Sequence, residues 1–383
     1  MSQGNGSKKL GDLFTFKNGR SFKKTEWSES GLPIIRIQNL NDRTKPFNRF
    51  EGEYDPAIEI QSGDLLFSWS GTVGSSFGPH IWDRETGVLN QHIYKIGFKE
   101  DTDPDYAYYA LLETTAEIEQ RVRGAVGLVH VTKTDLKEFE IPHPPKAEQK
   151  RIVSILDEAF SAIGKAKENA EKNLLSAREL FESYLNRVFT QQGPDWQEKA
   201  LPDISENLDR QRKPITKSKR EPGDIPYYGA SGVVDHVKDF LFDEPLLLVS
   251  EDGGNLIART RPIAFSIKGK TWVNNHAHVL RFPELQLQQL VAFYLNSISI
   301  EPWVRGLDQK KLNQTNLNSI PILVPPREQR AEIVREFELV QDKTETCRKL
   351  YTQKLANLDE LKQSLLQKAF TGQLTSCRFA VSS

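Results

Sequence analysis

Apolar residues recur in alternating steps of four and three along two long stretches that lack helix-stopping residues. Between Lys146 and Thr190 only Gly164 weakens a helix, and between Glu328 and Thr371 there is neither glycine nor proline. The first seam is Ile152, Leu156, Ala159, Ile163, Ala166, Ala170, Asn173, Ala177, Leu180 and Tyr184. The second, at the same offsets, is Ile333, Phe337, Val340, Thr344, Cys347, Tyr351, Lys354, Leu358, Leu361 and Leu365. Such spacing predicts two coiled-coil helices, each about 60 Å long at 1.5 Å per residue. Pro144-Pro145 and Pro325-Pro326 precede them, where a missing N–H leaves no helical bond unmade. The middle of the first seam is small and that of the second carries Tyr351 and Leu358, a size match that favours close packing of one helix on the other. An unpaired helix with such a stripe is unstable in water, so an antiparallel intramolecular pair is expected.

Outside the helices the pattern changes to short apolar runs bounded by glycine and proline, the mark of mixed strands and brief helices. Leu32–Ile37, Asp64–Trp69 and Val88–Ile96 read as strands, with a helix at Asp105–Leu112. A second set follows at Ile225–Tyr228, Pro245–Val249 and Trp272–Phe282, with a helix from Leu287 to Ser297. The chain repeats itself at about 181 residues. Pro144-Pro145-Lys-Ala-Glu148-Gln149 returns as Pro325-Pro326-Arg-Glu328-Gln329, and Phe189-Thr190 as Phe370-Thr371. Leu89-Asn90-Gln91-His92 matches Val273-Asn274-Asn275-His276, and Val122-Arg123-Gly124 matches Val304-Arg305-Gly306. A period this long makes each copy a whole domain plus its own helix. The expected fold is α/β (α+β): two pseudo-repeated globular domains, 1–145 and 193–324, joined by helical regions 146–192 and 325–383. The frame recurs while the segments between the matches diverge, as two readers of different targets would.

Length suits two domains. Lys and Arg number 51 against 52 Asp and Glu, a formal net charge of -1, so any nucleic-acid surface must be a local basic face. Two cysteines, Cys347 and Cys377, make no disulfide framework and point to a reducing cytoplasm. No apolar stretch suggests a signal peptide or a membrane span.

The sequence has no Gly-x-Gly-x-x-Gly, Walker loop, His-Glu-x-x-His or Gly-x-Ser-x-Gly, and no Asn/Asp-Pro-Pro-Tyr/Phe segment of the kind amino-methyltransferases use; no catalysis is expected. His276 and His278 could begin a metal site, but the first copy has Tyr94 in place of His278, and structural or nucleic-acid roles fit better. What recurs instead is basic and amide residues among aromatics. Arg and Lys neutralise phosphates, while Arg, Asn and Gln can bond bidentately to base edges. The first half offers Lys17, Asn18, Arg20, Lys23, Lys24, Arg36, Gln38, Asn39, Trp69, Asn90, Gln91, His92 and Arg123 as candidates. The second offers Arg210, Arg212, Lys213, Lys217, Lys219, Arg220, Tyr228, Ser231, Arg259, Arg261, Asn274, Asn275, His276 and Arg305. Charge runs on loops are ordinarily solvated surface, and the repeated polar triplet serves equally well to fix a turn.

Two variable domains, each followed by a helix opening near Pro-Pro and Glu-Gln and closing near Phe-Thr-Gly, resemble the specificity subunit of type I restriction-modification enzymes over essentially the whole chain. Gly63-Asp64-Leu65-Leu66 is similar to a Gly-Asp-Ile-Leu stretch of its target recognition domains; the second half departs from it with Glu244-Pro245. The resemblance implies a non-catalytic DNA-binding subunit with no cofactor of its own, in which each domain reads half of a bipartite asymmetric site and the helices set the spacer. It also implies two modification subunits that use S-adenosylmethionine, and restriction subunits that use ATP and Mg. The competing reading is an adaptor that bridges two copies of a protein partner without DNA.

Overall fold

The structure, a computed structural model, describes residues 6–71, 76–122, 129–191 and 193–374. It divides into two compact units, Met1–Asn169 with Leu355–Ser383, and Ala170–Lys354. Both predicted helices are present and continuous, Lys146–Thr190 and Arg327–Phe370, and each contributes one half to each unit.

In the first unit one antiparallel sheet has the order Phe14–Asn18, Ile93–Phe98, Leu65–Ser68, Gly78–Ile81. The second sheet has the order Arg49–Phe50, Leu32–Ile35, Gly87–Leu89, Glu59–Ile60. Its one parallel pairing joins Ile34 to Val88 and Ile35 to Leu89. The second unit repeats both sheets. Glu206–Asn207, Ala277–Arg281, Leu246–Ser250 and Ala264–Ile267 form the first; Gly232–Val237, Ile225–Gly229, Lys270–Val273 and Phe242–Asp243 form the other. Here too one pairing is parallel, Tyr227 to Trp272 and Tyr228 to Val273.

Two runs read as single strands are each two. Val88–Ile96 breaks between Leu89 and Ile93, and Trp272–Phe282 between Val273 and Ala277, where the chain leaves one sheet for the other. The repeated polar triplets are these crossing points. His92 takes a left-handed backbone there, φ 71, a conformation that a continuing strand excludes. The Leu32–Ile37 run likewise ends at Ile35, and Ile37 opens a short helix, Ile37–Asn41.

In the first unit Ile152, Val153 and Leu156 of the central helix share a core with Leu366, Ala369 and Phe370 of the distal helix, around Phe14, Phe67 and Tyr106. In the second, Leu185 and Phe189 join Val334 and Phe337 around Leu247, Leu290 and Tyr294. The repeated phenylalanines thus close the two cores: Phe370 lies 5.3 Å from the Tyr106 ring and Phe189 5.0 Å from Tyr294. Burying such a side chain contributes about 1.5–3 kcal/mol. Within the first unit Phe160 meets Lys362 at 5.1 Å and Lys167 pairs with Asp359 at 2.7 Å. Rising numbers on one helix meet falling numbers on the other, so the pair is antiparallel there.

The heptad seam departs from expectation in the C-terminal half of each helix. Leu180 is 66% exposed, and Asn173, Lys354 and Leu361 are exposed as well. Burial passes instead to Phe181, Leu185, Val188 and Phe189, because a helix of 3.6 residues per turn rolls off a 3.5-residue stripe and the domain core takes the face that arrives.

The Glu-Gln motif also recurs one residue out of structural register. Gln149, fully buried, accepts from the Asp103 N–H at 2.8 Å and donates to the Pro144 carbonyl at 2.8 Å. In the second copy Arg330, not Gln329, does this work, donating to the Pro325 carbonyl at 3.1 Å and to Glu284 at 3.1 Å. Each joint ties a long helix to the start of the shorter helix in its domain, Pro104–Val122 or Leu285–Ser297.

Candidate nucleic-acid interface

Each domain gathers loops at the end where the chain crosses between sheets. In the first domain the Arg20 N–H donates to the Leu89 carbonyl at 3.1 Å, and the Gln91 N–H donates to the Arg20 carbonyl at 2.9 Å. Gly19 is needed for this approach, since a Cβ there would lie 2.1 Å from the Asn90 carbonyl oxygen. The Trp69 indole donates to Asn18 at 3.0 Å, stacks on Tyr94 at 5.8 Å and meets His92 edge-on at 4.7 Å. Asn18, Trp69, Asn90, Gln91 and His92 are therefore brought together. Lys23, Lys24 and Gln38 are exposed on neighbouring turns.

Other first-half candidates have internal tasks. The Arg20 guanidinium lies 4.0 Å over Phe22 and 4.7 Å over Phe50, and pairs with Glu26 at 2.8 Å. Lys17 pairs with Asp55 at 2.7 Å, and Arg36 bonds Asn48 at 3.1 Å. Asn39 is 2% exposed; its amide accepts from the Arg36 N–H and donates to the carbonyls of Lys45 and Pro46. Those bonds staple a loop and leave no donor for a base. Arg123 lies outside the described residues.

In the second domain the Asn274 N–H donates to the Tyr228 carbonyl at 3.1 Å, and the Asn274 side chain accepts from the His276 N–H at 2.8 Å. Buried Asn274 thereby shapes the turn that presents exposed Asn275 and His276. His276 pairs with Asp252 at 2.8 Å, while the Ser250 hydroxyl donates to the Ala230 carbonyl beside half-buried Ser231. Arg305 and Lys311 exchange backbone bonds at 2.9 and 2.8 Å, and the Gly253 N–H donates to the Lys310 carbonyl at 3.0 Å. Tyr228, Ser231, Asn275, His276 and Arg305 thus share one end with Asp252, Lys310 and Lys311, which sequence reasoning passed over. Lys310-Lys311, four and five residues beyond Gly306 of the matched Val304-Arg305-Gly306, was the available signal.

Arg212 is a correction. Its guanidinium, with the side chain only 13% exposed, pairs with Glu251 at 2.6 Å and Asp209 at 3.4 Å and donates to the Ala277 carbonyl at 2.7 Å. The buried His278 ring completes the cluster, with Nδ1 2.6 Å from Asp209 and Nε2 2.7 Å from the Leu312 carbonyl. Both ring nitrogens face oxygen atoms. Burial pushes the Asp209 carboxyl up, but His278, the Val279 N–H and Arg212 outweigh it and hold it below its ordinary value. Glu251 is held low in the same way: burial raises it, and Arg212, His278 and Lys311 more than offset that. The ligand atoms of Asp209, Glu251 and His278 lie within 4.8 Å of one another, as a metal site would require. Arg212, together with Lys311 at 3.1 Å from Glu251, already balances the two carboxylates, however, and the arrangement is an ionic lock. The two histidines of the His-x-His run do not converge, because His276 lies in the turn before the strand and His278 within it.

Three further cations are also engaged. Arg259 donates to the carbonyls of Leu295 and Ile298 at 3.2 and 2.6 Å. Arg220 pairs with Asp235 at 2.8 Å and lies 4.4 Å over Tyr227. Arg305 caps the Pro302 carbonyl at 2.6 Å, although its side chain stays exposed. Arg210, Lys213, Lys217, Lys219 and Arg261 are exposed; the first four sit on one loop that lies along the second sheet through the Trp272 indole bond to the Lys213 carbonyl, 2.7 Å.

Residues 3–173 and 194–353 match the type I restriction modification DNA specificity domain, once for each copy of the repeat. The chain belongs to that family. Relatives include the EcoBI specificity subunit of Escherichia coli, 24% identical over 94% of this chain and 84% of that one. Another, assigned as a type I restriction enzyme specificity subunit of Haemophilus influenzae, is 28% identical over 50% of this chain and 55% of its own, so the match spans about half the length of that relative. Among solved structures, a chain from a study of complex assembly in a type I R-M system superposes with a TM-score of 0.76 at 16% identity, covering 96% of this chain and 97% of that one. The HsdS subunit of Thermoanaerobacter tengcongensis gives 0.58 at 16% identity, with 96% of each chain covered. Both share the fold. The family's Gly-Asp turn keeps its logic where its letters change: Asp64 pairs with Lys95 at 2.8 Å after Gly63 (φ 95), and Glu244 pairs with Arg281 at 2.6 Å in the second specificity domain.

Of the three cations in Arg210-Gln211-Arg212-Lys213, only Arg210 and Lys213 point outward. Replacing both by Ala should flatten the salt dependence of DNA binding by up to ~0.9 per lost phosphate contact. A slope equal to wild type in a salt titration would make this loop plain solvated surface.

Proposed function

We propose that this chain is the DNA-reading subunit of a type I restriction-modification assembly. Each specificity domain reads one half of a bipartite, asymmetric duplex site, and the two long helices set the unspecified spacer. The observation that carries this reading is the doubled match to a DNA specificity domain, with the same two-sheet frame built twice. The chain supplies recognition; methyl transfer from S-adenosylmethionine belongs to two modification subunits, and ATP- and Mg-dependent work to restriction subunits in the cytoplasm. Docking of modification subunits on the helices is supported by Leu175, Leu180, Leu339, Leu350 and Leu361, which stand exposed on them. Exposed leucines of this kind suit an interaction surface rather than a fold requirement. No helix among the described residues is long and apolar enough to cross a membrane.

Exchange of residues 9–143 for the equivalent domain of a relative tests the reading. Mapping of methylated adenines in cells that carry the exchanged subunit should show one half of the target altered and the other unchanged. Alteration of both halves would refute independent domains, and no methylation dependence on this chain would remove the DNA reading altogether.

A further inference from the structure

A leucine stands almost bare at the tip of a basic loop in the second domain. Leu307 is 94% exposed, between Gly306 and Asp308 in a turn that begins at Arg305 and ends at Lys311. The turn is pinned at its base. Arg305 and Lys311 exchange backbone bonds, the Lys310 carbonyl accepts from Gly253, and the next residue, Leu312, is buried with its N–H on the Glu251 carbonyl at 2.7 Å. Higher up, the Lys310 ammonium donates to the Gly306 carbonyl at 3.0 Å. Gly306 has φ 97, and a Cβ there would lie 2.1 Å from the Gln309 carbonyl oxygen, so only glycine permits the turn. The loop holds an apolar side chain outward on a constrained base.

Its surroundings indicate what it meets. Arg305, Lys310 and Lys311 outnumber Asp308, the loop's one anion; Lys311 also pairs with Glu251 at 3.1 Å, and Asp252 is bridged to Lys311 while also holding His276. Leu307 therefore projects from the end that carries the exposed Asn275 and His276. An apolar tip among cations does not suit a protein groove as well as it suits a duplex, where cations take the phosphates and an apolar side chain enters between base pairs.

We propose that Leu307 is a wedge that enters one base step of the half-site read by the second domain, unstacking and kinking it. This rests on the DNA reading given above. The test uses the full chain co-expressed with its modification subunits, on duplexes of the sequence defined by methylation mapping. 2-Aminopurine is placed at successive positions away from the methylated adenines, and fluorophores at the two ends report bending. Wild type should raise 2-aminopurine fluorescence at one step of the second half-site. L307A should abolish that rise, reduce the bend and weaken binding about tenfold, the scale of one leucine's burial. L307F should retain the rise. Because Leu307 is exposed, all three proteins should melt alike. Equal fluorescence and bending in wild type and L307A would overturn the wedge and leave DNA reading intact. Loss of modification-subunit capture by L307A with an unchanged fluorescence profile would also overturn it, placing a protein at this tip. Failure of wild type to bind any defined sequence would bring down the DNA reading, and the wedge with it.

Discussion

Arg212→Ala should destabilise the second domain by about 3–5 kcal/mol, the cost of leaving buried charges without their partner. Asp209 and Glu251 are 8% and 11% exposed at the side chain, so water cannot replace the lost guanidinium cheaply. The loss should appear as a fall of about 10 °C in the melting of that domain, with Arg212→Lys recovering only part because an ammonium cannot make the same forked contacts. The pH dependence follows from the same cluster. Both carboxyls are lowered in the fold from ordinary values of 3.8 and 4.5, so their contribution is complete above the ordinary values and is lost as pH falls through the lowered ones. Wild type should lose stability below about pH 4.5, and the variant should lose much less over the same window. Melting curves from pH 7 to 3.5 measure both effects. A well-folded variant within about 1 kcal/mol of wild type at pH 7 would mean that the lock contributes little, as replaced ion clusters sometimes do.

Insertion of one heptad into each helix, after Asn173 and after Lys354, should lengthen the preferred DNA spacer by about three base pairs and leave both half-sites unchanged. Seven residues add about 10 Å at 1.5 Å per residue, and a heptad keeps the coiled-coil phase. Both insertion points are exposed, so no core residue is displaced. Three base pairs also turn the second half-site by about 100° at roughly 10.5 base pairs per turn. Straight helices supply no matching rotation, and affinity for the lengthened site should fall below that of the parent. Selection from duplexes with randomised spacer length reads the outcome. A preference that stays at the parental length would show that the helices do not set the distance. An insertion in only one helix breaks the pairing and should unfold the subunit instead, which circular dichroism would separate from a spacing effect.

The sequence was most legible where a pattern is long and local. The 45- and 44-residue helices announce themselves through their seams and the absence of breakers. The duplication is visible because turn and joint residues such as Asn90-Gln91-His92 and Pro144-Pro145 recur. Strand boundaries were less legible. Gly87–Leu89 and Ile93–Phe98 read as one run because the polar residues between them are too few to break an apolar pattern, yet the two pieces belong to different sheets.

By itself, then, the sequence determined a two-copy chain with two helices, a frame held in common and surfaces that differ, since periodicity and repetition are properties of order along the chain. The tertiary structure alone decided which cations face outward. Arg210, Arg212 and Lys213 are near neighbours in sequence, but Arg212 turns inward onto Glu251, 39 residues away, where a low-dielectric setting strengthens an ion pair. It also decided that Arg330 rather than Gln329 does the work of Gln149, because the helix phase sets which side chain points at the Pro325 carbonyl. And it raised Leu307, unremarkable in the sequence, to the tip of a basic loop. Exposure depends on what the rest of the chain covers, and no local pattern carries that information.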